Sequence, residues 1–470
     1  MTLYNILDRY VFLPIGDLVY GSRVVAELKE MERNDHLSEE SLCDMQNAKL
    51  QKLVKHCYET VPYYTRLFDK LGIKPEQIRT RDDLKVLPVL TKQIIRDNYN
   101  DFLSSAIDPK RLKRQSTGGS TGTPLKFCTD SKEWSAWKAS TLRAWKWYGL
   151  NIGDKIFSLG GNSINQKDSL FSFKGLYDRV IMRNYKYSSA DVSDECMQQH
   201  YEALMKLKPA ALRGYGSALY ILARYIEKKQ LPVCPIRVVL TTGEVLVSDY
   251  RRKLQEVFQA PVYDAYGAAD GGILSHECPK HEGLHITEES CVIEITDKNG
   301  IRLPDGVVGQ VCTTDLDNYA FPFLRYLVGD MAYIKKEKCS CGRGSRLIGE
   351  VLGRNGRLVY NKQGVPISPT MLPFMLYPQL DYHKAENRKL YYKIDKFQIR
   401  QDAVGDILIL LKLVDPNEPK DQFDYILTNY RNHFVGSEVK LRFVDEIPTM
   451  PSGKEDYCVS EFEYKNTNIQ

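Results

Sequence analysis

Glycines and hydroxyl-bearing residues alternate in one segment, Ser116-Thr117-Gly118-Gly119-Ser120-Thr121-Gly122-Thr123-Pro124. Glycines let the backbone approach a ligand closely, and successive N–H groups in such a loop can point at one anion. The interleaved hydroxyls add hydrogen-bond donors, and Lys126 adds a nearby cation. The segment therefore predicts an anion-binding loop suited to a triphosphate. Taken alone, it is equally consistent with a flexible Ser/Thr/Gly linker, and it has neither the Walker spacing nor Gly-x-Gly-x-x-Gly.

Soft metal ligands occur in two separate places, Cys278-Pro279-Lys280-His281-Glu282-Gly283-Leu284-His285 and Cys339-Ser340-Cys341-Gly342. Three thiolates and one imidazole form a ligand set that structural zinc prefers in tetrahedral geometry. The spacing therefore predicts a structural zinc site, whose role is to hold the two segments together rather than to catalyse a reaction. The alternative is three incidental cysteines and a surface histidine.

The elements that must position these residues alternate along the middle of the chain. Strands are predicted at Ile236–Thr241 and Pro261–Tyr266, with a helix over Arg251–Phe258 between them. Such alternation predicts an α/β architecture with a largely parallel sheet, preceded by about a hundred mostly helical residues. Hairpin-like strands follow Thr287.

A polar, glycine-rich turn at Gly353-Arg354-Asn355-Gly356 precedes a segment with its own strands and one helix. This segment is long enough for a small domain. We therefore predict a large N-terminal α/β domain at residues 1–353 and a small C-terminal α+β domain at residues 354–470.

Composition excludes several classes of protein. The 470 residues are 43% hydrophobic and 27% charged, which is ordinary for a globular enzyme, and the longest apolar runs are too short to span a bilayer. The net charge of +5 is not concentrated in a basic block, so a nucleic-acid surface has no support. We expect no secretory signal, because Asp8, Arg9 and Asp17 interrupt the apolar residues at the start of the sequence, and the odd number of cysteines, 11, suits a reducing compartment. We expect a cytoplasmic protein; its oligomeric state cannot be predicted.

The order of further motifs decides between the interpretations of the anion-binding loop. After the loop come Thr241-Thr242-Gly243-Glu244, Tyr266-Gly267-Ala268-Ala269-Asp270, Arg325-Tyr326-Leu327-Val328-Gly329-Asp330, Gly353-Arg354 and Pro451-Ser452-Gly453-Lys454. This series resembles the adenylate-forming superfamily of acyl-CoA synthetases and adenylation domains. Within it, the chain is similar to the phenylacetate–CoA ligase family, including the CapK-like branch of capsular polysaccharide biosynthesis proteins.

The resemblance implies the adenylate-forming fold, with a multi-sheet N-terminal domain and a mobile C-terminal domain, and it implies an ATP site. The residues it assigns to the nucleotide are Thr117, Gly118, Gly119, Ser120, Thr121, Gly122, Gly243, Glu244, Tyr266, Gly267 and Asp330. Three residues would act in the reaction: Asp270 as the Mg²⁺-binding carboxylate, Arg354 at the hinge near the ribose and phosphate, and Lys454 as the mobile lysine that stabilises charge during adenylation. For the metal site, the resemblance favours His285 over His281.

Three residues depart from the superfamily pattern. Leu125 stands where lysine is common, Ala269 stands where a hydroxyl residue is common, and Asp270 is one methylene shorter than the usual glutamate. Altered geometry, a weaker enzyme and ordinary variation of the subfamily all remain open as explanations.

The implied activity is that of an ATP-dependent, AMP-forming ligase. It would activate a small carboxylic acid as an acyl-adenylate, release pyrophosphate and pass the acyl group to a thiol such as coenzyme A. Transfer to an amine, for example on an amino sugar, is one alternative. A catalytically inactive nucleotide-binding scaffold is the other.

Overall fold

The structure, a computed structural model, describes most of the chain. The described residues are 2–116, 125–160, 177–188, 194–246, 248–354, 359–360, 362, 366–367, 372, 375–376, 390, 393–403, 405–434, 436–447 and 458–460. Among the predicted site residues, Thr117, Gly118, Gly119, Ser120, Thr121, Gly122 and Lys454 lie outside this set.

The N-terminal part is helical, as predicted, and helices also separate the strands that follow. The described α-helices are α1 Leu3–Leu7, α2 Leu13–Tyr20, α3 Val24–Asn34, α4 Glu39–Thr60, α5 Pro62–Leu71, α6 Lys92–Asp97, α7 Ser131–Trp147, α8 Asp194–Leu207, α9 Gly216–Lys228, α10 Ser248–Phe258 and α11 Asp424–His433. Local chemistry sets their ends. Asp130, for example, caps α7 by accepting hydrogen bonds from the backbone N–H groups of Lys132 and Glu133.

In the part of the chain that the structure describes, eleven strands form the main sheet, in the order β10-β11-β12-β13-β9-β8-β7-β6-β5-β3-β4. They are β3 Ile156–Gly160, β4 Asn184–Ser188, β5 Ala211–Gly214, β6 Val238–Thr242, β7 Val262–Ala268, β8 Ile273–Glu277, β9 Leu284–Ile286, β10 Cys291–Thr296, β11 Gly309–Asp315, β12 Tyr326–Ile334 and β13 Leu347–Arg354. A separate antiparallel pair, β1 Lys113–Ser116 and β2 Lys126–Thr129, flanks the predicted anion-binding loop in the sequence.

The expectation of a largely parallel sheet is correct for only part of it. Strands β4, β3, β5, β6 and β7 pair in parallel. Strand β8 pairs antiparallel with β7 and with β9, and β13 pairs antiparallel with β9. Strands β10 and β11 also pair antiparallel. The connection from β7 to β8 is only a few residues long, and parallel strands need a much longer crossover.

Helices cover both faces of the parallel strands, so the strands are apolar on both sides. On one face, Phe157, Leu212 and Val239 pack with residues of α8, α9 and α10. On the other face, Leu240 and Tyr263 pack with residues of α3 and α7. The second face is the one that positions the site described below.

The chain divides into two compact units. The first comprises Met1–Thr117, Leu125–Val328 and Ala332–Val351, and the second includes Leu352–Gln470 and Gly329–Met331. In the second unit, β18 Glu438–Phe443, β17 Asp406–Leu413, β16 Ile394–Gln401 and β19 Cys458–Ser460 form a four-stranded sheet in that order, and β14 Val359–Tyr360 pairs with β15 Pro366–Ile367. Residues of α11 share the core of this sheet. The predicted mixed α/β class, with a smaller sheet in the C-terminal part, is confirmed.

Across the described residues, no helix combines the length and the apolar character that a membrane span requires.

Candidate active site

Two of the predicted nucleotide motifs follow neighbouring parallel strands. Gly243 and Glu244 come directly after β6, and Tyr266 and Gly267 lie near the end of β7. Because β6 and β7 are paired and parallel, these residues lie at the same edge of the sheet, where open α/β sheets bind their ligands. Gly243 has a φ of 78°, and a Cβ there would lie 2.8 Å from the ring of Tyr215, so the position requires glycine.

Asp270 lies just beyond β7, in a short 3₁₀ turn, and only 7% of it is exposed. The hydroxyl of Tyr326 donates a hydrogen bond to Oδ2 of this carboxylate at 2.7 Å, and Lys92 Nζ lies 3.9 Å from the same oxygen. A carboxylate that is fixed in this way can present oxygen to Mg²⁺, which prefers such ligands.

Of four other positions singled out from the sequence, the structure describes Asp330 and Leu125 in full, and Arg354 and Ala269 by their backbone. Asp330 lies on β12 and is half-buried, and Arg354 is the last residue of β13, with a side chain outside the description. Leu125 is 1% exposed and belongs to the hydrophobic core, so this departure from the superfamily pattern has a packing role. The side chain of Ala269 is also outside the description.

A cavity of about 130 Å³ lies against the same edge, between α7 and the sheet. Helix α7 contributes a stripe at helical spacing: Trp137, Thr141 and Trp145, extended by Tyr148 just beyond its end. The sheet contributes Arg213, Leu240, Thr241, Thr242, Tyr263, Asp264, Ala265, Gly267, Leu274 and His276. Gly267 therefore belongs both to this cavity and to the predicted nucleotide motif.

His276 is the most deeply buried titratable group in the cavity wall. It is 5% exposed, and its Nε2 has no hydrogen-bond partner among the described residues. Burial, together with the cations of Arg143 and Arg213, lowers the pKa of His276 to about 3. The imidazole is therefore neutral at physiological pH.

The structure brings the four predicted zinc ligands together. The ligand atoms of Cys278, His285, Cys339 and Cys341 all lie within 4.8 Å of one another. Cys278 Sγ lies 3.5 Å from Cys339 Sγ, and Cys341 Sγ lies 3.3 Å from His285 Nε2. Ligands about 2.3 Å from a tetrahedral zinc ion lie roughly 3.5–4 Å apart, so the donor set fits this metal.

Neighbouring residues support the same assignment. The second ring nitrogen of His285, Nδ1, lies 2.8 Å from Ser345 Oγ, the kind of contact that orients a metal-binding imidazole. His281 lies elsewhere: its ring stacks on Tyr263 at 5.1 Å, and its Nδ1 lies 3.1 Å from Glu277 Oε1. The geometry thus favours His285 over His281, in agreement with the choice made from the sequence.

Several residues of the site are missed by sequence reasoning. Trp137, Trp145, Arg213 and His276 all line the cavity but lie outside the nucleotide motifs, so none of them is among the predicted site residues. Lys92 and Tyr326, the partners of Asp270, are likewise distant from it in the sequence. The spacing of the α7 stripe is the one signal that could have located the cavity.

Sequence comparison agrees with the resemblance, although no family model matches the chain. The chain is 26% identical over 346 residues to a phenylacetate-coenzyme A ligase of Thermus thermophilus, covering 72% of this chain and 76% of that protein. It is also 24% identical over 458 residues to Protein CapK of Staphylococcus aureus, covering 94% of this chain and 93% of CapK.

Structural comparison extends over nearly the whole chain. A 2-hydroxyisobutyryl-CoA ligase in its postadenylation state, in complex with an acyl-AMP, matches with a TM-score of 0.70 at 18% identity, covering 91% of each chain. The chain has the adenylate-forming ligase fold. The same ligase in its thioesterification state, in complex with 2-HIB-AMP and CoA, matches with a TM-score of 0.60 over 91% of each chain. The resemblance predicted from the sequence motifs is confirmed.

Proposed function

We propose that this chain is an ATP-dependent, AMP-forming ligase that activates a small carboxylic acid and transfers the acyl group to a thiol such as coenzyme A. One observation carries the proposal. The 130 Å³ cavity opens beside Gly267, at the strand edge shared with Gly243, Glu244, Tyr266 and Asp270. A small acid and a nucleotide could therefore bind side by side.

In the first step, a carboxylate oxygen of the acid attacks the α-phosphorus of ATP, and pyrophosphate leaves. Asp270 would hold a Mg²⁺ ion, which neutralises phosphate charge when bound. Tyr326 and Lys92 position Asp270 for this role. The predicted anion-binding loop would donate N–H groups to the phosphates, and Lys454 would stabilise the developing charge.

In the second step, a thiolate attacks the acyl carbon of the adenylate, and AMP leaves. A coenzyme A thiol is supported by the names of the relatives, phenylacetate-coenzyme A ligases, and by the CoA complexes of the 2-hydroxyisobutyryl-CoA ligase. The predicted domain boundary near residue 354 would let a mobile C-terminal domain present Lys454 for the first step and then withdraw it.

We also propose that Cys278, His285, Cys339 and Cys341 bind a structural zinc ion. Four protein ligands leave no position for water, so the ion would fix the loop after β12 against β9 rather than activate a nucleophile.

Product analysis tests the reaction. The full chain is incubated with ATP, Mg²⁺, phenylacetate and coenzyme A, and the products are separated by mass. We expect AMP, pyrophosphate and the acyl-CoA thioester in equal amounts. AMP with slow hydrolysis of the adenylate, and an amide only when an amino sugar is added, would instead indicate the amine-transferring alternative. An absence of AMP with every acid and acceptor would favour the nucleotide-binding scaffold.

A further inference from the structure

We infer that the helical segment Leu3–Tyr20 binds a second copy of this chain and that the chain forms a twofold-symmetric dimer. The contact surface is one side of this segment, here called the apolar face. It consists of eight exposed residues: Leu3, Ile6, Leu7, Tyr10, Val11, Ile15, Leu18 and Val19. The inference does not depend on the proposed ligase reaction.

The apolar face runs along the whole segment, in which α1, one π-helical turn at Asp8–Phe12 and α2 follow one another directly. Its residues recur three or four positions apart, the spacing of one side of a helix. They are 37–84% exposed, and every exposed position between Leu3 and Val19 belongs to the face. A surface helix normally turns its polar side to solvent, so this segment has the opposite orientation.

The other side of the segment is fixed to the protein. Asn5 is 1% exposed, and its side-chain amide donates hydrogen bonds to the carbonyl oxygen of Ile152 at 2.8 Å and to Asp154 Oδ1 at 3.1 Å. Leu13 is 1% exposed and packs in the core that includes residues of α3 and α7. Rotation of the segment would break these contacts, so it cannot bury the apolar face.

The area of the apolar face suits a stable dimer. At their exposed fractions, the eight large apolar residues present on the order of 700 Å². The largest apolar patch of a typical monomer covers only about 300–600 Å². A stable interface between two proteins buries about 800 Å² on each partner, and the half-buried Tyr4 and Phe12 extend the face toward this value.

Charges at the edge of the apolar face fit a protein partner better than a membrane. Arg9 Nη2 lies 3.1 Å from Glu32 Oε2, so this edge carries both signs. The half-buried Asp17 carboxylate accepts hydrogen bonds from the backbone N–H groups of Val24 and Val25 at 2.9 and 2.8 Å. An anionic membrane attracts clustered lysine and arginine and repels carboxylates. A polar rim around an apolar centre is typical of protein interfaces.

A second copy is the favoured partner because the apolar face is complementary to itself. In a twofold dimer the same surface of each chain meets its copy, so a charge near the axis would face a charge of its own sign. The exposed positions of the face carry no charge. The ridges formed by residues three and four positions apart can pack into the grooves of the same segment in the partner.

Size-exclusion chromatography with light scattering, run on the full chain at about 10 µM, tests the inference. We expect a mass close to twice the chain mass of 54.0 kDa. Leu18→Glu and Leu3→Glu, at residues 84% and 73% exposed, should each be monomeric and keep the wild-type circular dichroism. Ile301→Glu, at a residue that is 64% exposed and outside the segment, is the matched control and should remain dimeric.

A wild type that stays monomeric up to about 100 µM would overturn the inference, as would a dimer that persists in both folded glutamate variants. Assemblies that grow beyond the dimer with concentration would overturn the twofold symmetry. Flotation with phosphatidylglycerol vesicles tests the membrane as partner: binding of a monomeric wild type that is lost in Leu18→Glu would overturn the dimer. If the glutamate variants do not fold, the wild-type mass and Leu18→Ala, in which the dimer should weaken about tenfold, still decide.

Discussion

Tyr326 donates a hydrogen bond to Asp270, with 2.7 Å between Oη and Oδ2, although 56 positions separate the two residues in the chain. Tyr326 opens β12, and Asp270 follows β7, so the bond joins two of the motifs by which the chain resembles adenylate-forming ligases. A tyrosine hydroxyl at this position orients the carboxylate without neutralising it.

Removing this hydroxyl should weaken the handling of Mg²⁺ and ATP rather than the fold. We expect Tyr326→Phe to lower kcat/KM for MgATP by about tenfold, because one hydrogen bond to a charged group is lost. The Mg²⁺ concentration for half-maximal rate should rise, while Tm changes by only a few degrees. Tyr10→Phe, at a tyrosine that is 68% exposed, is the control. An unchanged Mg²⁺ dependence in Tyr326→Phe would remove the positioning role of Tyr326.

The zinc proposal predicts about one zinc ion per chain in the purified protein, measured by elemental analysis. Cys339→Ser and Cys341→Ser should each lose the ion and lower Tm by more than about 5 °C, because metal-binding energy contributes to folding. His281→Ala should keep both the zinc and the Tm, since its ring lies against Tyr263 rather than in the cysteine cluster. Wild-type protein without stoichiometric zinc would rule the site out.

A buried ion pair between Arg325 and Glu294 identifies a position where substitution should strongly destabilise the fold. Arg325 Nε lies 3.0 Å from Glu294 Oε2, with the two side chains 3% and 4% exposed. Arg325 also donates hydrogen bonds to the carbonyl oxygens of Leu87 and Gly300, both at 2.7 Å. Glu294→Ala leaves this guanidinium buried without its carboxylate and should reduce the free energy of unfolding by about 3–5 kcal/mol.

The matched control for this variant is an exposed pair. Glu59 lies 3.8 Å from Lys55 on α4, with both side chains more than half exposed. Glu59→Ala should lower the free energy of unfolding, measured by chemical denaturation, by less than about 1 kcal/mol. Similar losses of unfolding free energy in Glu294→Ala and Glu59→Ala would show that the buried pair contributes no more to stability than the exposed one.

Asp8 gives a pH-dependent prediction. Its two carboxylate oxygens have no hydrogen-bond partner among the described residues, and burial raises its pKa from 3.8 to about 7. Between these values the unfolded chain releases the proton while the folded chain retains it, so the folded state loses stability as pH rises. Asp8→Asn does not titrate.

We therefore expect the difference in unfolding free energy between Asp8→Asn and the wild type to increase from pH 5 to pH 7, by on the order of 1 kcal/mol, and then to level off. Urea denaturation at several pH values measures this difference. A difference that does not change with pH, or that decreases, would contradict the buried, protonated state of Asp8.

Local pattern predicts much of this fold. Strand–helix alternation correctly places β6, α10 and β7, because their apolar runs and turn residues are contiguous in the sequence. The antiparallel pair of β10 and β11 agrees with the hairpin-like strands predicted after Thr287. The earlier reversal at β8 was not predicted, since it depends on the short connection between β7 and β8. The Cys/His cluster could be predicted, as its ligand types are rare and closely spaced within each of its two segments.

Groups that meet only through tertiary pairing could not be predicted. His276 acquires its place in the cavity wall from its register opposite Ala265, and Lys92 approaches Asp270 from a distant helix. The stripe from Trp137 to Tyr148 indicates one wall of the cavity, but its spacing does not show which residues of the sheet form the opposite wall. Shape complementarity between distant segments carries no local sequence signal.

Acid-dependent exchange of labelled pyrophosphate into ATP tests the central claim most directly, because it reports adenylate formation without any acyl acceptor. With phenylacetate and a panel of other small carboxylic acids, we expect at least one acid to give exchange well above the background without acid. This exchange should fall at least about a hundredfold in Lys454→Ala and in Asp270→Asn at unchanged Tm. Exchange no higher than background with every acid, from wild-type protein that melts cooperatively and binds ATP, would contradict the account.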